Sequence, residues 1–411
     1  MENLLNLLQS QFSDSIGLKQ YFSDFTTSDW NELIQLASQH KLSLLLLDIF
    51  NKNELIELIP ANQLEELREK NRLNAIKNIY ILQEAQIVLE ELKRHNIQTI
   101  GLKGVYLLDN VFEDVSLRSM ADLDLMVKRN NISEAIDIVQ NLGYQPSTYF
   151  DIRDINTDIK HVPPMIKNDH HYLEIHWTLL EENEPFSIGI DGLWKRAKPV
   201  QIAGVDAFSL SLEDLLLHLC IHLAYQHSFE FGLRGLFDIA MVLKRFHDDV
   251  DWEVLISRAH AWRANRVVAL TFQLLVELFK VSGPEGLITR LMEGPFPEEI
   301  LKQAKENLLS QRDDTAAFTP DLVRLSAKAT IWGKIRIMLD RVFLPKITMA
   351  RLYGMKPTSL KVYFYYPVRF FQLWRSYRQS VRKIIRKDGK TLSQVSQKKQ
   401  VIAIKEWLVN F

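Results

Sequence analysis

The amino-acid sequence predicts an α+β fold in which a compact α/β unit is embedded in a mainly helical chain. Residues 1–95 and the chain after Ser211 repeat apolar residues at helical spacing. The segment between them holds short β-prone runs in the order strand, helix, strand, helix, loop, strand, which is typical of one α/β unit of about 100 residues. A chain of 411 residues has room for two or three domains.

Residues 1–95 are predicted to form an N-terminal helical region. Leu4, Leu7 and Leu8 recur at helical spacing near the start. A longer apolar pattern runs from Leu64 to Leu92, and Pro60 stands just before it, where a helix entry tolerates proline.

Residues 96–205 are predicted to form the α/β core. Its first helix lies over 105–111, and its second runs from a Ser133 cap to Leu142, with Gly143 after its end. Strands are predicted over three runs: Ile97–Leu102, Asp122–Val127 and Tyr172–Trp177.

Two further regions complete the predicted organisation. Residues 206–330 form a helical domain that opens with a capping-box-like Ser211-Leu-Glu-Asp214. Residues 331–411 form a basic, aromatic-rich helical tail with 18 Lys and Arg, 3 Asp and Glu, and 13 of the 41 aromatic residues. The overall net charge of −1 therefore hides an acidic body and a basic tail.

Cysteine content and the chain start limit the class of protein. The only cysteine, Cys220, excludes an internal disulfide framework and a Cys-based zinc site, and its apolar surroundings indicate a small buried side chain. The start lacks a basic segment typical of secretion signals, and no apolar run approaches the ~20 residues of a membrane span. We therefore expect a cytoplasmic protein.

The pattern Asp122-Leu-Asp124 carries the clearest chemical signal. Residues two apart on a strand share a face, so the two carboxylates converge. Close carboxylates repel each other unless a divalent cation lies between them. Glu174, on the later strand beside His176, is the candidate third acid. The pattern alone is equally compatible with a solvated strand face.

Groups suited to phosphate binding flank the acidic pair. Lys103-Gly104 follows the first strand, where a glycine lets backbone N–H groups approach a phosphate. Arg118 precedes Asp122 by four residues and is a candidate triphosphate ligand.

Several ordered blocks together resemble the polymerase-β-type nucleotidyltransferase superfamily, and more narrowly the bacterial family known only as uncharacterised nucleotidyltransferases. The blocks are Leu102-Lys103-Gly104, Leu117-Arg118-Ser-Met-Ala-Asp122-Leu-Asp124-Leu-Met-Val127, Leu173-Glu174-Ile-His176-Trp177, Leu212–His222, Leu233–Ile239 and Asp251-Trp252. The resemblance covers roughly residues 95–280.

The resemblance implies a nucleotidyltransferase core with a small mixed sheet. Asp122, Asp124 and Glu174 then match the metal-binding acids, with Mg²⁺ or Mn²⁺ as the metal. Lys103-Gly104 stands where the superfamily usually has a Gly-Ser turn, which is a departure. The implied donor is a nucleoside triphosphate, with ATP expected, and pyrophosphate is released.

The acceptor implied is a hydroxyl or phosphate on a small molecule, peptide or protein, and nucleic acid is the less favoured partner. The alternative is a non-catalytic nucleotide-binding or scaffold protein of the same fold.

Other polar residues have competing interpretations. His176 is an orienting residue, a base or a buried histidine, and Arg234 either pairs with Asp238 along one helix or contacts nucleotide phosphate. His218 and His222 face one side of a helix, where hydrogen-bonded core histidines are favoured over a zinc site. The remaining candidates lie in or after a long loop and are expected to be mostly exposed: His161, His170 and His171.

The tail contains a predicted amphipathic basic helix. Its apolar positions are Phe370, Trp374, Tyr377, Val381 and Ile384, and its basic positions are Arg375, Arg378, Arg382 and Arg386. Docking on the acidic body is favoured, and peripheral contact with an anionic membrane or with nucleic acid are the alternatives.

Overall fold

The computed structural model describes residues 1–12, 17–148, 160–230, 232–292, 294–310, 342–344, 346–355, 359–373, 375 and 389–409. Contacts divide the chain into two compact units. The first unit comprises Met1–Gln145, Asn156–Gln311 and Trp407–Phe411, and the second comprises Pro146–Ile155 and Arg312–Glu406. The four-region division drawn from the sequence stays a prediction.

Helices make up most of the first unit. They are α1 (Glu2–Gln9), α2 (Leu18–Phe22), α3 (Thr27–Gln39), α4 (Ser43–Lys52), α5 (Ala61–Arg94), α6 (Lys103–Asn110), α7 (Ile132–Asn141), α8 (Ile190–Arg196), α9 (Leu212–Ile221), α10 (Arg234–Phe246), α11 (Trp252–Ala261), α12 (Asn265–Phe279), α13 (Leu287–Leu291) and α14 (Glu298–Leu309). A π-helical turn, His222–Gln226, extends α9.

One mixed sheet lies among these helices. Its strands are β1 (Thr99–Gly101), β2 (Leu123–Val127), β3 (Gln145–Pro146), β4 (Met165–Lys167), β5 (His171–His176), β6 (Lys198–Ile202) and β7 (Val205–Ser209). Their order in the sheet is β3-β4-β5-β2-β1-β7-β6. The predicted α+β class, with a mixed sheet in a mainly helical chain, is confirmed.

The centre of the sheet determines where the polar side chains meet. β2 runs parallel to β5, and Asp124 lies opposite Glu174 in that register. β1 pairs with β2 in antiparallel orientation and with β7 in parallel orientation. Every residue of β1 and β2 is buried, so any polar group on these strands needs a partner inside the protein.

The structure corrects some predicted elements. Helix α6 begins at Lys103, two residues earlier than predicted, and α7 is preceded by Asn131, so Ser133 is not its cap. Gly143 does adopt the left-handed conformation after α7, with φ 94°. Strands β4, β6 and β7 were not predicted. In β6, which lies at the edge of the sheet, Pro199 masks the strand pattern.

The second unit contains a small helical cluster. Helix α15 spans Lys346–Leu352, a 3-10 turn spans Leu360–Phe364, and residues 365–373 are helical. Helix α16 spans Gly389–Val409, and its residues from Trp407 onward belong to the first unit. Met349, Ala350 and Val362 form its buried core. Among the helices that the structure describes, none has the length and apolar character needed to cross a membrane. Of the predicted amphipathic tail helix, Phe370 and Arg375 are described. Its other positions lie outside the described residues: Trp374, Tyr377, Arg378, Val381, Arg382, Ile384 and Arg386.

Candidate active site

Three acidic side chains meet where β2 and β5 lie side by side. Asp124 on β2 faces Glu174 on β5, and Asp122 precedes β2 on the same face as Asp124 because it is two residues away. Ligand atoms of Asp124, Glu174 and His176 all lie within 4.8 Å of one another. The structure therefore brings Asp124 and Glu174 together with His176, whereas Asp122 lies beside this group of close ligand atoms and does not belong to it.

Asp124 is buried and has two cationic or polar partners. The Lys103 ammonium lies 3.0 Å from its Oδ1, and His176 Nε2 lies 2.8 Å from the same oxygen. Burial alone would raise the pKa of this carboxyl, but Lys103 and His176 hold the pKa below its usual range. Asp124 is thus ionised and compensated by the protein itself.

Asp122 is in the opposite electrostatic situation. Burial and then the negative charge of Asp124 raise the pKa of Asp122, and Glu174 adds to this effect. Lys103 offsets only part of the repulsion. A second positive charge in this position would therefore be favourable, because it would neutralise a carboxylate that the chain leaves under-compensated.

These acids border a cavity of about 400 Å³. Five cationic side chains line it together with four carboxylates: Lys41, Lys103, Arg118, Lys160 and Arg234, with Asp122, Asp124, Glu174 and Asp238. Its size suits a small-molecule ligand, and the cations suit an anionic one. Lys41 and Lys160 were missed in the sequence, because nothing in their local pattern distinguishes them from other lysines.

Arg118 is fixed in the cavity wall by Asp238. Its Nε and Nη2 donate to the two Asp238 oxygens over 2.9 and 3.0 Å, and both side chains are buried. Nη1 is buried without a partner among the described residues. A side chain on Gly104 would lie 3.3 Å from that Nη1, so the glycine leaves room for the guanidinium beside α6.

Arg234 also lines the cavity, and of its two interpretations the ion pair with Asp238 does not form. Arg234 instead donates to the Ser119 hydroxyl over 3.2 Å and to the Ser119 carbonyl over 2.7 Å. Burial, together with the charge of Arg118, lowers the pKa of Arg234 to about 10, and the residue remains cationic at neutral pH.

Asn78 on α5 holds the loop that carries Arg118. Its amide donates to the carbonyls of Val115 and Arg118 over 2.6 and 2.7 Å, and its Oδ1 accepts from Met120 N over 3.3 Å. The side chain is fully buried. Asn78 was not predicted from the sequence, although an asparagine on the apolar side of a long helix is a signal of such a positioning role.

The histidines divide into those at the cavity and those away from it. His176 is almost completely buried and contacts both Asp124 and Glu174, with 3.4 Å to Glu174 Oε2, which fits an orienting or ligand role better than a base for an incoming substrate. His161 lies 3.8 Å from Glu174 Oε2 and borders the cavity. His170 and His171 contact each other and do not line it.

His218 on α9 and His222 just after it do not support a zinc site. In the described residues, the candidate metal group consists of Asp124, Glu174 and His176, and it includes neither His218 nor His222. Burial lowers the pKa of His222 to about 3 and that of His218 well below its usual value, so both rings are neutral. His222 Nδ1 lies 2.9 Å from Gln226 Oε1.

A divalent cation fits the donor set of the site. Carboxylate oxygens are the preferred ligands of Mg²⁺ and Mn²⁺, and Mn²⁺ also accepts an imidazole. The raised pKa of Asp122 indicates unneutralised negative charge beside Asp124. The ammonium of Lys103 on Asp124 Oδ1 shows that this oxygen accepts a positive charge.

Comparison with known families agrees with this geometry. The model of the family described as "Uncharacterised nucleotidyltransferase" matches residues 26–280, more than half of the chain, and the protein therefore belongs to that family. The match begins at residue 26, so it includes N-terminal helices as well as the α/β core. No curated protein and no solved structure matched the chain.

Proposed function

We propose that this member of the uncharacterised nucleotidyltransferase family transfers a nucleoside monophosphate in a metal-dependent reaction. The expected donor is ATP with Mg²⁺ or Mn²⁺. The acceptor is a hydroxyl or phosphate on a small molecule, peptide or protein. The acceptor oxygen forms a bond to the α-phosphorus, the bond from that phosphorus to the bridging oxygen breaks, and pyrophosphate leaves with the electron pair. A hydroxyl acceptor also loses its proton.

The observation that supports this proposal is the convergence of Asp122, Asp124 and Glu174 beside a cationic cavity. When bound, divalent ions at such acids would neutralise phosphate charge and lower the pKa of the acceptor hydroxyl. His176, with Nε2 2.8 Å from Asp124 Oδ1, would keep that carboxylate in a fixed orientation.

The cations of the cavity would hold the phosphates of the donor. Arg118 is held by Asp238 through Nε and Nη2, so Nη1 remains for a phosphate oxygen. Arg234 is anchored by Ser119 in the same wall. The first N–H groups of α6, at Lys103 and Gly104, have no side-chain cap, and uncapped helix starts suit anions. Catalysis would then depend on positioning and charge neutralisation.

The test combines nucleotide binding with turnover. ATP, GTP, CTP and UTP are titrated calorimetrically into wild type and Asp122→Asn, with Mg²⁺ or with EDTA, and label transfer from each α-³²P-nucleotide is followed in a cell extract. We expect one nucleotide to bind only with Mg²⁺, and Asp122→Asn to lose binding and label transfer. Asp137→Asn on α7 is the matched control, because Asp137 is exposed.

Lys103 favours a second candidate, a nucleotide-binding protein without catalysis. Its ammonium already compensates Asp124 at 3.0 Å, which is where a metal ion would act. This candidate predicts nucleotide binding without label transfer, and binding that persists in EDTA. Magnesium-dependent transfer would exclude it, whereas absence of nucleotide binding in wild type would contradict both candidates.

A further inference from the structure

The second unit exposes an apolar surface, which we call the outer face. Its main members are Phe364, Leu360 and Phe371, exposed by 76%, 74% and 67%. These are the three highest exposures among the large hydrophobic side chains that the structure describes. Leu360, Phe364 and Phe371 follow one another at intervals of four and seven residues along helical backbone, a spacing that places them on one side. Tyr363 precedes Phe364 and is exposed by 55%. Isolated exposed hydrophobic residues are common, but a cluster of such side chains marks an interaction site.

The outer face does not result from a loosely held segment. The opposite side of the same segment is buried, since Val362 packs with Met349 and Ala350. The Tyr366 hydroxyl donates to the Leu344 carbonyl over 2.7 Å. The backbone is therefore held from inside the unit while the apolar side chains point outward.

The stretch of sequence that carries the outer face holds positive charge only. Residues 341–387 contain 12 Lys and Arg and no Asp or Glu. Lys361 and Arg375 lie within or beside the outer face and are exposed. The acidic residues of this chain would attract the positive charge but would not bury the apolar side chains. An anionic membrane does both, because an apolar acyl-chain region lies beneath its negative headgroups.

We propose that the outer face binds an anionic lipid membrane. Leu360, Phe364 and Phe371 enter the boundary between headgroups and acyl chains, and Lys361 and Arg375 contact the negative headgroups. Nucleic acid is the weaker fit, because stacking uses aromatic rings and Leu360 has none. This proposal does not depend on nucleotidyl transfer, because it involves only the second unit.

The test is vesicle flotation of the full-length protein. Vesicles of phosphatidylcholine alone are compared with vesicles that contain phosphatidylglycerol as well, at low and high salt. We expect binding to the anionic vesicles that salt weakens, and at least a ~10-fold loss in the triple variant Leu360→Ser/Phe364→Ser/Phe371→Ser. The matched control is Ile79→Ser/Tyr80→Ser on α5, whose side chains are exposed by 55% and 59%, and it should bind like wild type.

Charge reversal provides a second, independent variant. Lys361→Glu/Arg375→Glu leaves the apolar side chains in place and should weaken binding to anionic vesicles only. Wild type that floats with neither vesicle, or a triple variant that binds like wild type, would overturn the proposal. Binding of a single-stranded oligonucleotide that the triple variant loses, without any flotation, would assign the outer face to nucleic acid instead.

Discussion

The buried pair Arg118–Asp238 allows a sharp test of how the cavity wall is held. The pair joins the loop before β2 to α10 through two hydrogen bonds of 2.9 and 3.0 Å. The side chains are only 8% and 9% exposed. Asp238→Asn keeps the shape of the acid but removes its charge, and leaves the Arg118 guanidinium buried without a counter-charge.

The expected cost follows from that burial. Removing one partner of a buried, hydrogen-bonded ion pair destabilises a protein by about 3–5 kcal/mol, because the remaining charge stays desolvated. Spread over a unit of this size, such a loss lowers the thermal midpoint by on the order of 10 °C. An exposed pair would cost far less, because water screens each charge.

Thermal unfolding followed by circular dichroism measures the effect, and the chain supplies a matched control. Arg290 and Glu253 form a similar two-hydrogen-bond pair, but both side chains are exposed. We expect Glu253→Gln to leave the midpoint unchanged within error. Equal shifts for Asp238→Asn and Glu253→Gln would refute the argument from burial.

A double variant separates stability from binding. Arg118→Met/Asp238→Leu replaces the pair by apolar side chains, and such replacements are often neutral or stabilising. We expect the double variant to recover most of the midpoint lost by Asp238→Asn. It should nevertheless lose the nucleotide binding proposed above, because Arg118 Nη1 is gone. A double variant as unstable as Asp238→Asn would show that the pair does more than balance its own charges.

Three further predictions use other features of the fold. Burial and the charge of Asp124 raise the pKa of Asp122 in the folded protein. Ionised Asp122 therefore lowers the free energy of unfolding at pH values above that raised pKa. The effect is absent below the ordinary value of 3.8, where the carboxyl is protonated in both the folded and the unfolded state. Asp122→Asn in EDTA should therefore unfold at a higher temperature than wild type at pH 7, with the difference vanishing near pH 4 in a pH series of melting curves. A Cβ atom on Gly101 would lie 2.3 Å from Ile202 Cδ1. Gly101→Ala should therefore lower the free energy of unfolding, measured in urea, by about 1–3 kcal/mol. The added change Ile202→Val removes that Cδ1 atom and should restore most of the loss. Burial raises the pKa of the Cys220 thiol to about 12, so a thiol reagent at pH 8 should label it only after denaturation, and rapid labelling of the folded protein would contradict its burial.

The acidic centre was predictable because strand geometry is local. Acidic and apolar residues alternate at the start of Asp122–Val127, which indicates a strand whose successive side chains take opposite faces. That pattern is enough to place Asp122 and Asp124 on the same face. Glu174 required the expectation of a neighbouring strand, and the parallel β2–β5 register places it opposite Asp124. Period-two alternation thus predicted the geometry at this position without knowledge of the whole sheet.

The cavity wall was not predictable, because its contacts span long stretches of chain. Arg118 and Asp238 are 120 residues apart, and local spacing favoured a pair between Asp238 and Arg234 instead. Helical spacing allows that pair. In the fold, Arg118 takes both Asp238 oxygens, and Arg234 is held by Ser119 instead. Asn78 was missed for a related reason, since its partners Val115 and Arg118 lie about 40 residues away.

Lys103, which stands where the superfamily usually has a Gly-Ser turn, explains why the pKa values of Asp122 and Asp124 shift in opposite directions. Lys103 opens α6 with a left-handed φ of 42° and its ammonium reaches Asp124, which is buried and would otherwise be costly. Asp122 receives only partial compensation and keeps a raised pKa. The chain therefore compensates the charge of Asp124 by itself and compensates that of Asp122 only in part. For that reason Asp124 variants should lose both stability and function, whereas Asp122 variants should lose function alone.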